Sequence, residues 1–245
     1  DTCNKISKYM AKVGYECRVM GVPKTIDNDL AGTDHCPGFA SAAKYIATSF
    51  MEVSRDSKVY DTGMVTIIEC MGRHAGWLTA AAALANTKGD GPDLIYVREV
   101  DFDMDKFVAD VKRIYAEKKN CLVAVSEGIH YADGTFVSEA KASGTDGFGH
   151  AQLGGLAARL ADVVKAATGA KVRPIELSLL QRCAAHCASG TDIAESFMSG
   201  KVAVEEAVAG VTDKMVGFKC TRDENGYKCV PELFDLSIVA NTEKK

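Results

Sequence analysis

Short apolar runs alternate with longer stretches of mixed apolar and polar residues from one end of the chain to the other. The longer stretches predict helices at Lys5–Ala11, Gly38–Val53, Gly76–Ala85, Asp105–Glu117, Ala151–Ala167 and Asp192–Val208. The short runs predict strands at Cys17–Gly21, Met64–Cys70, Leu94–Val97, Cys121–Val125, Val172–Glu176 and Lys214–Phe218. Strands that alternate with helices at this spacing favour parallel sheets with helices on both faces, so the predicted fold class is α/β.

Polar segments follow three of the predicted strands. They are Gly21–Asp29, Met71–His74 and Ser126–Gly128. Because ligands of open α/β sheets bind outside the carboxyl ends of the strands, the three segments predict one shared site. A further glycine-rich stretch, Ser143–Gly155, lacks the spacing of a nucleotide-binding loop, and a mobile surface loop is favoured over a phosphate cradle there.

Composition and charge exclude some classes of protein. The 245 residues are 47% hydrophobic, which is enough for one large or two modest cores. The formal net charge of −4 argues against a general nucleic-acid-binding protein. No apolar run approaches the roughly 18 residues needed to cross a bilayer, so we expect no membrane partner. An acidic protein that binds anions must do so with a few well-placed lysines and arginines.

The nine cysteines are scattered along the chain without a CxxC pair. An odd number in a chain of this length predicts buried, reduced thiols in a cytoplasmic protein. Cys183, His186 and Cys187 fall within five residues, but the absence of a second such cluster in the sequence argues against structural zinc. The sequence therefore predicts no metal ligand in this chain.

The segment Lys24–Asp29 is the richest in candidate chemistry. Asp27 and Asp29 are two residues apart, and in an extended segment their side chains would point the same way. A carboxylate can accept the proton of an attacking hydroxyl group, and the neighbouring Lys24 can stabilise charge on a transferring phosphoryl group. A turn with a helix cap explains the same residues equally well.

Four motifs then resemble the phosphofructokinase family, in the order in which the family has them. They are GVPKTIDNDL from Gly21, ECMGRHAGWLTAAAALA at Glu69–Ala85, SEGI at Ser126–Ile129 and LLQRC at Leu179–Cys183. The resemblance implies Rossmann-like parallel sheets in two lobes with the site between them. It also implies a glycolytic phosphotransferase that converts fructose 6-phosphate to fructose 1,6-bisphosphate.

The first motif carries the residues that the resemblance makes catalytic. Asp27 would take the proton from the 1-hydroxyl of fructose 6-phosphate, with Lys24 beside the transferred group. Thr25 and Ile26 would lie alongside the sugar, and Asp29 would adjust the charge near Asp27.

The other motifs carry the implied substrate-binding residues. Met71, Gly72 and Arg73 would contact the substrate from a second strand end, and Glu127 would accept hydrogen bonds from sugar hydroxyls. Arg182 would bind the 6-phosphate, which suits the planar fork of its guanidinium group.

Two positions depart from the family's simpler members. His186 stands where a glycine-rich continuation is usual, and it is either a contact to the 6-phosphate or a core histidine. Met64 replaces an arginine that reaches a neighbouring subunit's substrate. The resemblance still implies a homo-oligomer.

Lys24 bears on the phosphoryl donor. The pattern in bacterial ATP-dependent members has glycine before TIDND, whereas the pyrophosphate-dependent members have lysine, so the resemblance favours pyrophosphate. The alternatives are an ATP-dependent 6-phosphofructokinase and a non-catalytic regulatory subunit of the same fold. The presence of Asp27, Arg73, Glu127 and Arg182 argues against the latter.

The resemblance also predicts a division of the chain. Residues 1–32 would be the remnant of a donor-binding lobe that ends in the catalytic loop, 33–188 a lobe that binds fructose 6-phosphate, and 189–245 a return to the first lobe. In the family a GGD-type segment that holds the donor phosphates and Mg²⁺ precedes TIDND. We therefore expect the Mg²⁺ ligand to lie before Asp1, and this chain alone to be a truncated product with little or no turnover.

Overall fold

A computed structural model describes residues 1–138 and 155–244. The chain divides into two compact units, a first unit of Asp1–Ser41 with Ala188–Lys244 and a second unit of Ala42–Cys187. The glycine-rich stretch Ser143–Gly155 lies, except for its last residue, outside the described residues. Within the described ranges, no helix combines the length and the apolar character that a membrane span requires.

The described elements alternate between helix and strand for most of the chain. The helices are α1 (Thr2–Val13), α2 (Phe39–Ser57), α3 (Trp77–Ala81), α4 (Met104–Lys118), α5 (Leu156–Thr168), α6 (Leu180–Cys183), α7 (Gly190–Val208) and α8 (Leu236–Val239). The strands are β1 (Met20–Gly21), β2 (Met64–Cys70), β3 (Leu94–Tyr96), β4 (Asn120–Ser126), β5 (Val172–Glu176), β6 (Lys214–Asp223) and β7 (Gly226–Asp235). Short 3₁₀ helices follow α3 at Ala82–Lys88 and α6 at Ala185–Cys187.

The second unit is built on a parallel sheet of four strands in the order β3-β4-β2-β5. All seven residues of the central strand β2 are buried, which is typical of a parallel sheet with both faces covered. Helices α4 and α5 pack on the face that carries Val65 and Ile67, while Met64 and Ile68 of the opposite face are also fully buried. The α/β prediction is confirmed.

Helix α4 shows how the sequence specifies these elements locally. Its buried residues Phe107, Val111 and Ile114 recur at the spacing of one helical face. The Asp103 side chain caps the first turn by accepting a hydrogen bond from the Lys106 N–H group at 3.0 Å. Lys119 ends the helix in a left-handed conformation with a φ of 64°.

The first unit contains a mixed sheet in the order β1-β6-β7. Strand β1 pairs with β6 in parallel, and β6 pairs with β7 as an antiparallel hairpin. The hairpin differs from the prediction, which had a single strand ending at Phe218. Glu224 and Asn225 form the turn between the paired residues Asp223 and Gly226, and Gly226 adopts a φ of 98°, a conformation that favours glycine.

All nine cysteines are free thiols, but only Cys36, Cys70, Cys121 and Cys187 are buried. The expectation that the thiols are buried is therefore wrong for the others. Cys183 is exposed because it ends the short helix α6 at the surface.

Asp192 of α7 holds the first residues of α2 in place. Helix α2 begins after Gly38, which has no side chain to cap it, and the buried Asp192 carboxylate supplies the acceptor instead. It accepts hydrogen bonds from the Gly38 N–H group at 2.7 Å, the Ser41 N–H group at 3.2 Å and the Ser41 hydroxyl at 2.5 Å. A negative charge at this helix end is also favoured by the helix dipole.

We expect Asp192→Ala to lower the free energy of unfolding by about 3 kcal/mol, because three donors lose a buried, charged acceptor. Asp192→Asn keeps one carbonyl oxygen and should lose about half as much. The matched control is Asp162→Ala at an exposed position of α5, which should change the value by less than about 0.5 kcal/mol in urea unfolding. Equal effects of the two alanine variants would contradict the capping role.

Candidate functional site

The segment Lys24–Asp29 forms a loop directly after β1, and its own side chains fix its shape. The Thr25 hydroxyl accepts a hydrogen bond from the Asp27 N–H group at 3.1 Å. Asn28 has a φ of 60°, a conformation that asparagine tolerates better than most residues. Its buried side-chain oxygen accepts a hydrogen bond from the Cys36 N–H group at 2.9 Å. Asp27 therefore lies on a backbone that is held on both sides.

The loop is not extended, so the prediction that an extended backbone points the Asp27 and Asp29 side chains the same way is wrong. Ile26 and Asp27 form a turn, and Asn28 is left-handed. The alternation of side chains along a strand does not apply to such a backbone. Asp29 is held separately, since its carbonyl oxygen accepts a hydrogen bond from the Lys244 N–H group at 2.7 Å.

A cavity of about 470 Å³ lies beside the loop in the first unit. Lys24 and Asp29 line it together with the apolar side chains of Met215 and Leu236. This size is within the range that small-molecule sites occupy. Lys24 is exposed, so its ammonium group is available to an anion that enters the cavity.

A second group of predicted residues lies at the carboxyl edge of the four-stranded sheet. Cys70 of β2 is in register with Ser126 of β4, so the segments after them leave the sheet side by side. The Gly72 N–H group donates to Glu127 Oε1 at 3.2 Å, and the Ser126 hydroxyl donates to the Gly72 carbonyl oxygen at 2.8 Å. Met71, Gly72, Arg73 and Glu127 are thus brought together, as their positions in the sequence predict.

Glycine is required where these two segments meet. Gly72 has a φ of 129°, and a Cβ atom there would lie 2.3 Å from the Ala75 carbonyl oxygen. A Cβ atom on Gly128 would lie 2.3 Å from the Arg73 carbonyl oxygen. Such distances are far inside van der Waals contact, so a side chain at either position would push the strand ends apart.

Arg182 follows Gln181, whose side chain contacts the same sheet edge. The buried Gln181 side chain accepts a hydrogen bond from the Met71 N–H group at 3.0 Å and donates to the Ser178 carbonyl oxygen at 3.2 Å. The start of α6 is therefore tied to the end of β2. Arg182 is exposed, and no described carboxylate lies within ion-pair distance of its guanidinium group.

His186 is exposed and makes an edge-to-face contact with Tyr45, with ring centroids 6.1 Å apart. This excludes the alternative of a core histidine. A contact from His186 to a phosphate stays a prediction.

The predicted site residues thus fall into two sets. Lys24, Thr25, Ile26, Asp27 and Asp29 belong to the first unit; Met71, Gly72, Arg73, Glu127, Arg182 and His186 belong to the second. Each set is organised within its own unit, and the single shared site stays a prediction.

Comparison with known proteins decides the family. The family model for phosphofructokinase matches residues 1–205. The chain belongs to the phosphofructokinase family.

Individual members of the phosphofructokinase family match over the whole chain. The pyrophosphate–fructose 6-phosphate 1-phosphotransferases of Halomonas elongata and Xanthomonas campestris are 44% and 46% identical to it. The chain covers 58% and 59% of their lengths. The crystal structure of the pyrophosphate-dependent phosphofructokinase from Nitrosospira multiformis superposes with a TM-score of 0.84 at 38% identity, over 100% of this chain and 58% of that one. The chain thus spans somewhat more than half the length of these phosphofructokinases.

Sequence reasoning missed Asn28 and Gln181 as residues that support the candidate site. Both are buried amides next to a predicted site residue in the sequence, and each accepts a hydrogen bond from a backbone N–H group of another segment. The available signal was that both lie inside the motifs TIDND and LLQRC. A buried amide side chain is usually hydrogen-bonded, so an amide in such a motif indicates a structural contact.

Glu69 lies two residues before Met71 and is almost fully buried. Burial, with a smaller contribution from the nearby carboxylates of Glu176 and Glu127, raises its pKa to about 7, although a hydrogen bond from the Ala157 N–H group at 2.9 Å lowers it. Its neutral form is therefore favoured in the folded state over a wider pH range than in the unfolded state.

We expect this burial to make stability fall as pH rises. Between the unfolded pKa of 4.5 and the folded pKa of about 7, the folded state keeps a Glu69 proton that the unfolded state has released. The free energy of unfolding therefore falls as pH rises through this window. Glu69→Gln stays neutral, and its unfolding free energy relative to the parent should rise by on the order of 2 kcal/mol between about pH 5 and pH 8.

Urea unfolding at the two pH values measures this difference. Glu52→Gln, at an exposed position of α2, is the control and should follow the parent protein. The same difference in unfolding free energy between Glu69→Gln and the parent protein at both pH values would contradict the account.

Proposed function

We propose that this chain is part of an enzyme that transfers a phosphoryl group from pyrophosphate to the 1-hydroxyl of fructose 6-phosphate, giving fructose 1,6-bisphosphate. The observation that carries the proposal is the loop Lys24–Asp29, whose hydrogen bonds fix the backbone around Asp27 and which contributes Asp29 and exposed Lys24 to the lining of a cavity. The names of the relatives at 44% and 46% identity support the same reaction.

Asp27 acts as the general base in this proposal. Its carboxylate takes the proton from the 1-hydroxyl as the sugar oxygen forms a bond to phosphorus. The bond between that phosphorus and the bridging oxygen of pyrophosphate breaks, and orthophosphate leaves with the bridging oxygen. Since such reactions depend mainly on positioning and charge, a loop fixed by Thr25 and Asn28 is suited to hold the base.

The sheet edge of the second unit binds the sugar phosphate. Arg182 has a guanidinium group without a described carboxylate partner, so it is available to pair with two oxygens of the 6-phosphate. Exposed His186 adds a second donor to the phosphate. Glu127 is placed by the Gly72 N–H group and offers its remaining acceptor capacity to sugar hydroxyls.

Lys24 selects pyrophosphate as donor. Pyrophosphate has no nucleoside to bind, so its affinity depends on charge at the phosphate oxygens. Lys24 is the basic side chain among the residues that line the cavity of the first unit, and it stabilises the charge that develops on the leaving phosphate.

The expected Mg²⁺ does not find a ligand set among the described residues. Asp1, Asp29 and Glu243 line the cavity, but they do not converge into a group of three ligands. The described cluster that does converge contains two thiols, which suit softer metals than Mg²⁺. No step of the proposed reaction is therefore assigned to magnesium.

The proposal extends to the metabolic pathway, the cellular compartment and the oligomeric state of the enzyme. We propose that the enzyme works in glycolysis, in the cytoplasm, where free thiols such as the nine found here persist. We also propose that it acts as a homo-oligomer. Met64 makes no contact between subunits in this proposal, because it is fully buried at the start of β2.

The donor is tested with the protein expressed over the full length of its coding sequence. We expect formation of fructose 1,6-bisphosphate with pyrophosphate and not with ATP. Lys24→Met should lower kcat/KM for pyrophosphate by on the order of 10- to 100-fold, because a charge-assisted contact to phosphate is lost. Lys8→Met, at an exposed position of α1, is the control and should have no effect. Activity with ATP alone would overturn the donor assignment, and no activity with either donor would favour a regulatory subunit.

The sugar-phosphate site is tested with Arg182→Ala. We expect KM for fructose 6-phosphate to rise on the order of 10- to 100-fold with a smaller change in kcat, because the lost contact binds ground state and transition state alike. Arg113→Ala removes an exposed arginine of α4 whose ion pair to Asp110 spans 3.6 Å, and it should change neither constant. The same KM in both variants would remove Arg182 from the phosphate site.

A further inference from the structure

His35, Cys220 and Cys229 lie together in the first unit, and none of them is assigned a part in the reaction. Each offers one ligand atom, and the three atoms all lie within 4.8 Å of one another. They come from three places in the sequence: the segment after the candidate loop, strand β6 and strand β7. No other group of three such residues occurs in the described parts of the chain.

The two cysteines face each other across the β6–β7 hairpin. Cys220 is the register partner of Cys229, and the Cys220 N–H group donates to Asp34 Oδ2 at 2.7 Å rather than across the ladder. The pair is thus of the non-hydrogen-bonded kind, in which facing side chains come closest. Both sulfur atoms are therefore held on the same side of the hairpin.

His35 turns one particular nitrogen toward these sulfur atoms. Its Nε2 atom lies 2.6 Å from Glu195 Oε2, and its Nδ1 atom lies 3.3 Å from Cys220 Sγ. Because an ionised carboxylate only accepts hydrogen bonds, Nε2 carries the proton and, in the neutral ring, Nδ1 keeps its lone pair. That lone pair is directed at the cysteines.

The surroundings fix the imidazole in this orientation. The ring of His35 stacks on Phe218 at 5.0 Å between centroids. The Glu195 carboxylate is nearly buried, and its second oxygen accepts a hydrogen bond from the Tyr227 hydroxyl at 2.7 Å. A carboxylate that holds the distal N–H group of a histidine is the usual outer partner of a metal-binding histidine.

We propose that His35, Cys220 and Cys229 form a binding site for a divalent metal ion of the zinc class, with Glu195 as the residue that positions His35. Two sulfur ligands and one imidazole suit zinc. With the usual bond lengths, the ligand atoms of a tetrahedral zinc site lie roughly 3.5–3.8 Å apart, so the observed cluster needs to contract by no more than about 1 Å. Three protein ligands leave the fourth position for water.

The bound metal fastens the hairpin to the segment that continues from the candidate loop. Thr33, two residues before His35, already accepts a hydrogen bond from the Phe218 N–H group of β6 at 2.8 Å. The metal adds a second tie between this segment and both strands of the hairpin. The site is independent of the proposed function, because it uses none of the residues assigned to the reaction.

Cobalt is the probe, since Co²⁺ bound to thiolates in a tetrahedral site absorbs in the near ultraviolet and the visible. The whole protein is reduced, stripped with a chelator and titrated with Co²⁺. We expect one ion per chain to give thiolate charge-transfer and tetrahedral bands, and Zn²⁺ to remove them. Cys229→Ser and His35→Ala should abolish the bands or reduce them severely. Cys183→Ser is the matched control, because it removes an exposed thiol near another histidine and should leave the spectrum unchanged.

Two further readouts separate the site from a structural role of the same residues. Glu195→Gln should keep the shape of the cobalt spectrum while weakening affinity on the order of 10- to 100-fold, as expected of an outer partner. Zn²⁺ should raise the thermal midpoint of the parent protein and not that of Cys229→Ser. A reduced parent protein without cobalt bands would overturn the proposal. Bands that survive Cys229→Ser and vanish in Cys183→Ser would do the same.

Discussion

A buried backbone N–H group must find an acceptor, and this requirement organises the ends of strands and helices in this protein. Four side chains meet it near predicted site residues: Asn28 at Cys36, Glu127 at Gly72, Gln181 at Met71 and Asp192 at the start of α2. Each bond joins segments that are distant in the sequence or crosses a turn. Side-chain hydrogen bonds therefore fix the segments that follow these strands.

This arrangement has a direct consequence for the proposed chemistry. Phosphoryl transfer gains most of its acceleration from the placement of groups before the reaction begins. Asp27 lies between two residues, Thr25 and Asn28, whose side chains fix its backbone. In the second unit, Glu127 is fixed by Gly72, and Arg182 follows the buried Gln181. The residues proposed to take part in the chemistry thus lie next to residues that stabilise the fold.

Much of the fold was accessible from the pattern of the sequence. Strands β2 and β5 have the predicted bounds. In β2 the reason is a run of mostly apolar residues, all seven of which are buried. The hairpin was missed because the outer strand β7 is mostly exposed and lacks an apolar run, although Asn225-Gly226 was an available turn signal.

The sites divide in the same way. Motifs that are compact in sequence, such as TIDND, single out candidate residues, and the roles that the family resemblance gives them stay predictions. The cluster of His35, Cys220 and Cys229 was not predictable, because His35 precedes Cys220 by 185 residues and the two cysteines face each other only through the pairing register of a hairpin that was missed. The geometry of Asp27 and Asp29 was predicted wrongly, because the left-handed Asn28 replaces the extended backbone that was assumed.

The most direct test of the account is the kinetic effect of Asp27→Asn in the whole protein. If Asp27 is the base, the variant should lose about 100- to 10,000-fold in kcat with pyrophosphate, because the amide cannot take the proton of the 1-hydroxyl. Binding of fructose 6-phosphate, measured by calorimetry, should stay within about threefold of the parent. Asp61→Asn, at an exposed position before β2, serves as the control. An unchanged kcat would contradict the assignment of Asp27 and with it the proposed mechanism.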